Sequence, residues 1–145
     1  MAAAHVQFFG GASWSSGTST TLSLTSKTVA TGGRVFVAFQ SYEKVTPTGV
    51  STTGTATFGA WARVEEKPSA NFELDLWSAL VTSGGTLTAI VVAHPDPSYG
   101  AQVIAAEFSG TGAISTVGGG LTGTGTTATG VDSETIPANG LAVWA

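Results

Sequence analysis

The sequence predicts an all-β chain folded as a two-sheet antiparallel sandwich, jelly-roll-like in its wrapping. Helical periodicity is missing: no window of a dozen residues keeps apolar positions at a 3.6-residue spacing without a Gly, a Pro or a Thr cluster intervening. Short runs rich in Thr, Val and aromatic residues recur along the chain, and such residues suit a pleated, half-buried surface. Gly and Pro turns separate these runs, which is the pattern of a sandwich or jelly roll and not of a parallel sheet.

Taken in order, His5–Phe9 reads as a first strand, ended by Gly10 and Gly11. Thr20–Ser26 alternates, with Leu22 and Leu24 on one side and Thr21, Ser23 and Thr25 on the other. A turn region, 27–33, leads to Arg34–Tyr42. There Val35, Val37 and Phe39 share one face and Phe36 and Ala38 the other, so both faces need cover and the strand is central. The stretch 43–54 reads as a loop. Thr55–Glu66 reads as a strand broken at Gly59, and 67–71 as a turn.

Phe72–Val81 alternates with Phe72, Leu74 and Leu76 expected inward and Glu73 and Asp75 outward. Ser83-Gly84-Gly85 carries a hairpin-turn signal. Thr86–Ala93 follows, and His94-Pro95-Asp96-Pro97 breaks the ladder because proline donates no hydrogen bond. Tyr99–Ser109 is a further strand, with Val103, Ala105 and Glu107 opposed to Ile104, Ala106 and Phe108. Gly118–Gly130 is a Gly/Thr-rich stretch, read as a weak edge strand or a loop. Thr135–Ala145 is a last strand with Leu141, Val143 and Trp144. The expected core comprises Phe36, Val37, Phe39, Leu74, Leu76, Val91, Ile104 and Phe108.

The chain has 145 residues, enough for one domain and one core, so residues 1–145 are read as a single sandwich. Nine acidic and five basic residues give a net charge of −4, which offers no basic footprint for nucleic acid. Charged residues are only 10% of the chain, far below the roughly 25% of an ordinary soluble domain. Cysteine is absent, so disulfides, thiolate chemistry and Cys-based zinc sites are excluded. The first residues show no basic and apolar leader, and no apolar run approaches the roughly 20 residues that cross a bilayer. A protein with no membrane span and no leader of its own is expected.

The order of segments resembles a β-sandwich module of tailed-phage virion and tail proteins and of bacterial secreted or surface proteins. The segments are Thr20–Ser26, Gly32–Phe39, Ala60-Trp-Ala-Arg-Val64, Leu74-Asp-Leu-Trp-Ser-Ala79, Ile104-Ala-Ala-Glu-Phe-Ser-Gly110 and Ala138–Ala145. The likeness covers most of the chain and transfers no catalytic residue. It implies a non-enzymatic structural protein of a phage particle, either a capsid decoration or a tail or fibre component. Its partners are then copies of itself and other virion proteins. Its place is the virion, after synthesis in the host cytoplasm. Such modules continue past the segment like Asn139–Trp144, whereas this chain stops on an uncharged strand. Leu141, Val143 and Trp144 are therefore expected at a subunit interface, because an unprotected edge invites pairing. The other reading places that strand centrally in its own sheet.

Candidate chemistry is sparse. Glu73 and Asp75 lie about 7 Å apart on one strand face, in the range of paired-carboxylate glycosidases, although a solvated strand face has the same pattern. Asp96, Asp132 and Glu134 could offer oxygens to calcium, but no Asp-x-Asp-x-Asp-Gly loop is present. His5 and His94 stand far apart, and no Gly-x-Ser-x-Gly elbow occurs. Gly118-Gly-Gly-Leu-Thr-Gly123 matches a dinucleotide fingerprint formally, without the strand and helix that would give it meaning. No metal, cofactor or enzymatic activity is expected. The alternative function is carbohydrate binding by an extracellular protein. Trp14 and Trp77 would stack sugar rings of surface glycans beside Glu73 and Asp75, although Trp is equally at home in cores and interfaces.

Overall fold

A computed structural model describes residues 4–69, 72–97 and 100–110. Among these there is no helix. The strands are β1 (Ala4–Ser13), β2 (Ser19–Val29), β3 (Arg34–Ser41), β4 (Gly49–Gly54), β5 (Thr57–Phe58), β6 (Ala62–Ser69), β7 (Phe72–Ser83), β8 (Gly85–Ala93) and β9 (Ala101–Ser109). The larger sheet has the order β1-β9-β3-β7, with β5 and β6 both paired to the far edge of β7. The smaller sheet has the order β2-β8-β4. Every pairing is antiparallel.

The pairs β1–β9, β2–β8 and β3–β7 are nested in sequence, as if one long hairpin had been rolled up. The chain changes sheet at most of its connections. This is jelly-roll wrapping, and the two-sheet sandwich expected from the strand pattern is what forms.

The core lies between the sheets. β3 contributes Val35, Val37 and Phe39, and β8 contributes Leu87, Ile90 and Val92, all essentially without solvent contact. Phe9, Leu22, Val29, Trp77, Val81, Ala101, Val103 and Ala105 complete it. β3 is central, as its two apolar faces predict. Its second face carries Phe36 and Ala38 on the outside of the larger sheet.

Several expectations are corrected. The stretch read as a loop contains β4, whose Ser51 and Thr53 pair with β8. Thr, Ser and Gly there hid a strand because its inward residues are small and its outward ones polar. β2 runs on to Val29 through a bulge between Ser23 and Lys27, where Ser26 takes φ 34°. The Ser83-Gly84-Gly85 turn joins β7 to β8 in the other sheet, so it is a crossing between sheets and not a hairpin. Gly84 suits that crossing because a Cβ there would sit 2.9 Å from the Val29 carbonyl oxygen.

Of the predicted core, Val37 and Phe39 are fully buried between the sheets. Phe36 and Phe108 are buried on the outer face of the larger sheet, where their rings meet edge to face at 5.6 Å. Leu74, Leu76 and Val91 are only half-buried, and Ile104 is exposed. The Gly/Thr stretch 118–130 and the segment 135–145, with Leu141, Val143 and Trp144, lie outside the described residues.

Candidate functional site

The most unusual chemistry among the described residues sits where β6 and β7 meet. β7 pairs with β3 without a break in register, so its side chains keep one parity from end to end. Ala79 and Val81 are buried in the core, which obliges Trp77, Asp75 and Glu73 to point the same way. Glu73 and Asp75 are both 0% exposed. The expected outward orientation of these two acids is thereby reversed, and Leu74 and Leu76 take the outer face.

β6 adds two more charged groups. A bulge between Arg63 and Glu65 shifts the alternation, so Arg63 opposes Trp77 and Glu66 opposes Asp75. Arg63 and Glu66 therefore join the acids on the inner side, at the sheet edge. The Arg63 guanidinium donates from Nη1 to Asp75 Oδ1 at 3.2 Å and stands 3.1 Å from Glu66 Oε2. It also lies 5.9 Å from the centre of the Trp77 ring, within cation–π range. Across the strand on the other side, Phe39 opposes Asp75 and Ser41 opposes Glu73.

One carboxylate oxygen from each of Glu66, Glu73 and Asp75 lies within 4.8 Å of the other two. Arg63 satisfies only part of this charge. Both oxygens of Glu73 and Oδ2 of Asp75 are buried with no hydrogen-bond partner, as is the Trp77 indole N–H. Burial, reinforced by the Asp75 charge and by Glu66, pushes the Glu73 carboxyl up to about 7. Burial also raises Asp75, against the lowering effect of Arg63.

A second buried acid shows what satisfaction looks like in this fold. Glu107, 1% exposed, accepts a hydrogen bond from Gln7 Nε2 at 2.6 Å and another from the Ala30 backbone N–H at 3.2 Å. Buried polar groups are normally paired in this way. Glu73 is an exception.

The remaining candidates are dispersed. Trp77 is buried beside Asp75 and offers no open face for a sugar. Trp14 is half-buried against the core, its indole N–H donating to the Gly17 carbonyl at 2.8 Å. The stacking platform expected from Trp14, Trp77, Glu73 and Asp75 is not assembled, because three of the four point between the sheets. His94 is buried, with Nδ1 donating to the Pro95 carbonyl and Nε2 2.9 Å from Thr20 Oγ1. His5 lies against Phe108 on the outside of the larger sheet. Asp96 is exposed, while Asp132 and Glu134 lie outside the described residues. Glu66 and Arg63 carried no signal that strand alternation could reveal, since only the bulge turns both inward.

A second feature stands on the outside of the larger sheet. Its register builds rows of side chains across four strands: Phe8–Ala106–Phe36–Ser78, then Gly11–Ile104–Ala38–Leu76. Phe8 is 58%, Ile104 43% and Leu80 39% exposed. Among the described residues, Arg34 stands in this face between Phe108 and Leu80, its Nη1 donating to Ser78 Oγ at 3.1 Å, and Glu65 opposes Leu76. Comparison with protein-family models, curated proteins and solved structures gives no match. No helix among the described residues is long and apolar enough to cross a membrane.

Proposed function

We propose that the protein is a non-enzymatic structural subunit that works by packing the outer face of its larger sheet against a second copy of itself. The observation that carries this reading is the exposed apolar array of Phe8, Leu80 and Ile104 around Phe36 and Ala38. Contiguous apolar surface of this kind marks protein contacts. A face whose centre holds only Phe, Ile, Leu and small residues is complementary to itself. A two-fold contact centred on these rows buries apolar groups against apolar groups, with the Arg34 guanidinium tied to Ser78 of its own chain. The phage-particle setting implied by the segment order, as capsid decoration or as a tail or fibre component, is consistent with such a role.

Because the chain has no cysteine, single introduced thiols report the contact directly. Oxidation of Ile104→Cys is expected to give a covalent dimer. Oxidation of Thr21→Cys, on the outer face of the smaller sheet, is expected to leave monomers. Equal crosslinking of the two variants, or none of Ile104→Cys, overturns the proposal.

A further inference from the structure

The acid cluster at the β6–β7 edge is built with more negative charge than the protein neutralises. Three carboxylates face one guanidinium. Arg63 occupies Asp75 Oδ1 and Glu66 Oε2. Both Glu73 oxygens and Asp75 Oδ2 remain buried and receive no donor from outside the acid cluster, Glu73 having only the carboxyls of Glu66 and Asp75 within reach. Glu107, by contrast, receives hydrogen bonds from Gln7 Nε2 and the Ala30 backbone N–H.

We propose that Glu73, Asp75 and Glu66 form a binding site for a divalent cation of the calcium class. The donor set is all carboxylate oxygen, which suits a hard cation. The spacing fits as well. Calcium–oxygen distances near 2.4 Å allow two ligands of one ion to stand up to about 4.8 Å apart, when they lie on opposite sides. One oxygen from each acid already falls within that limit. Glu73 supplies two oxygens and Asp75 its free Oδ2, while Arg63 keeps the other Asp75 oxygen and orients that side chain. Glu66, at 38% side-chain exposure, links the buried acids to solvent and gives the ion its path. Water completes the shell.

The test is titration of the chelator-treated full chain with Tb3+, a luminescent stand-in for calcium, with excitation of Trp. Trp77 lies two residues from Asp75 on the same strand face, so an ion held there is close to an indole donor. Saturable sensitised emission that Ca2+ competes away is expected, together with a melting temperature that rises with Ca2+ concentration. Glu73→Gln keeps the shape of the side chain and removes its charge, so it should fold and lose affinity by about tenfold or more. Circular dichroism confirms its fold, and Glu66→Gln, at the exposed end, provides a second variant that leaves the buried pair intact. Absence of saturable emission and of any thermal shift in the wild-type chain overturns the proposal. So does binding that is undiminished in both folded variants.

Discussion

Arg63 and Asp75 form an ion pair whose halves occupy different media: the arginine side chain is 34% exposed and the aspartate side chain, whose Oδ1 lies 3.2 Å from Nη1, is 0% exposed. Such a pair is asymmetric in its consequences. Removing the arginine leaves a buried charge without its counter-ion, whereas removing both groups leaves only a packing defect. Arg63→Met is expected to destabilise the fold by about 2–3 kcal/mol, below the full value for a buried pair because the arginine is partly solvated. Adding Asp75→Asn to Arg63→Met should recover part of that loss. Urea denaturation of the two single variants and the double variant measures the coupling, and additive losses would contradict it.

Glu73 makes stability depend on pH in an unusual direction. Its carboxyl is raised from an ordinary 4.5 to about 7 in the folded chain by burial and neighbouring acids. Between these values the folded state binds the proton and the unfolded state does not, so stability falls as pH rises. The contribution is fully present below pH 4.5 and is lost as pH passes through about 7. The loss is at most on the order of 3 kcal/mol. In chelator-treated protein, melting temperature is expected to fall from pH 5 to pH 8, and Glu73→Gln is expected to flatten that slope. A wild-type slope that survives in Glu73→Gln would place the effect elsewhere.

The two faces of the larger sheet should respond differently to truncation. Phe39→Ala opens a cavity in the core between the sheets and is expected to cost about 3–5 kcal/mol. Ile104→Ala removes a side chain that is 43% exposed, so in the monomer its cost should stay near about 0.5 kcal/mol. Chemical denaturation at low protein concentration separates the two. Equal losses would mean that Ile104 is covered within its own chain.

Gly54 closes β4 at φ +132°, and a Cβ there would lie 2.2 Å from the Thr86 carbonyl oxygen. The obstacle is backbone and cannot swing aside. Gly54→Ala is expected to cost more than about 1 kcal/mol. It should also loosen the adjoining pairs Thr53–Thr88 and Thr55–Thr86, whose hydroxyls stand 2.9 and 3.0 Å apart. Faster amide exchange of Thr55 and Ala56, which both donate to the Thr86 carbonyl, is the readout.

The strands with strong alternation were legible in sequence. β3 and β9 run close to the expected bounds, and the two-sided apolar character of β3 correctly marks it as central. Which side of a strand faces the core was harder to read. In β7, Leu74 and Leu76 looked like the inward set because local hydrophobicity favoured them. The choice is made further along, where Ala79 and Val81 enter the core and carry Trp77, Asp75 and Glu73 in with them. Alternation alone does not separate the faces when both carry apolar residues. The acid pair was visible as Glu73 and Asp75, but its partners were not. Arg63 and Glu66 are three residues apart and would sit on opposite faces of a regular strand. The bulge that brings them to one face leaves no mark in residue type.

Association through the outer face of the larger sheet is open to sedimentation equilibrium over a wide concentration range. Wild-type chain is compared with a variant carrying Phe8→Ser, Leu80→Ser and Ile104→Ser, folding of both being checked by circular dichroism. The wild-type mass is expected to rise from monomer to dimer with concentration, and the folded variant to stay monomeric throughout. A wild-type chain that remains monomeric at every concentration, or a variant that associates as well as the wild type, would contradict it.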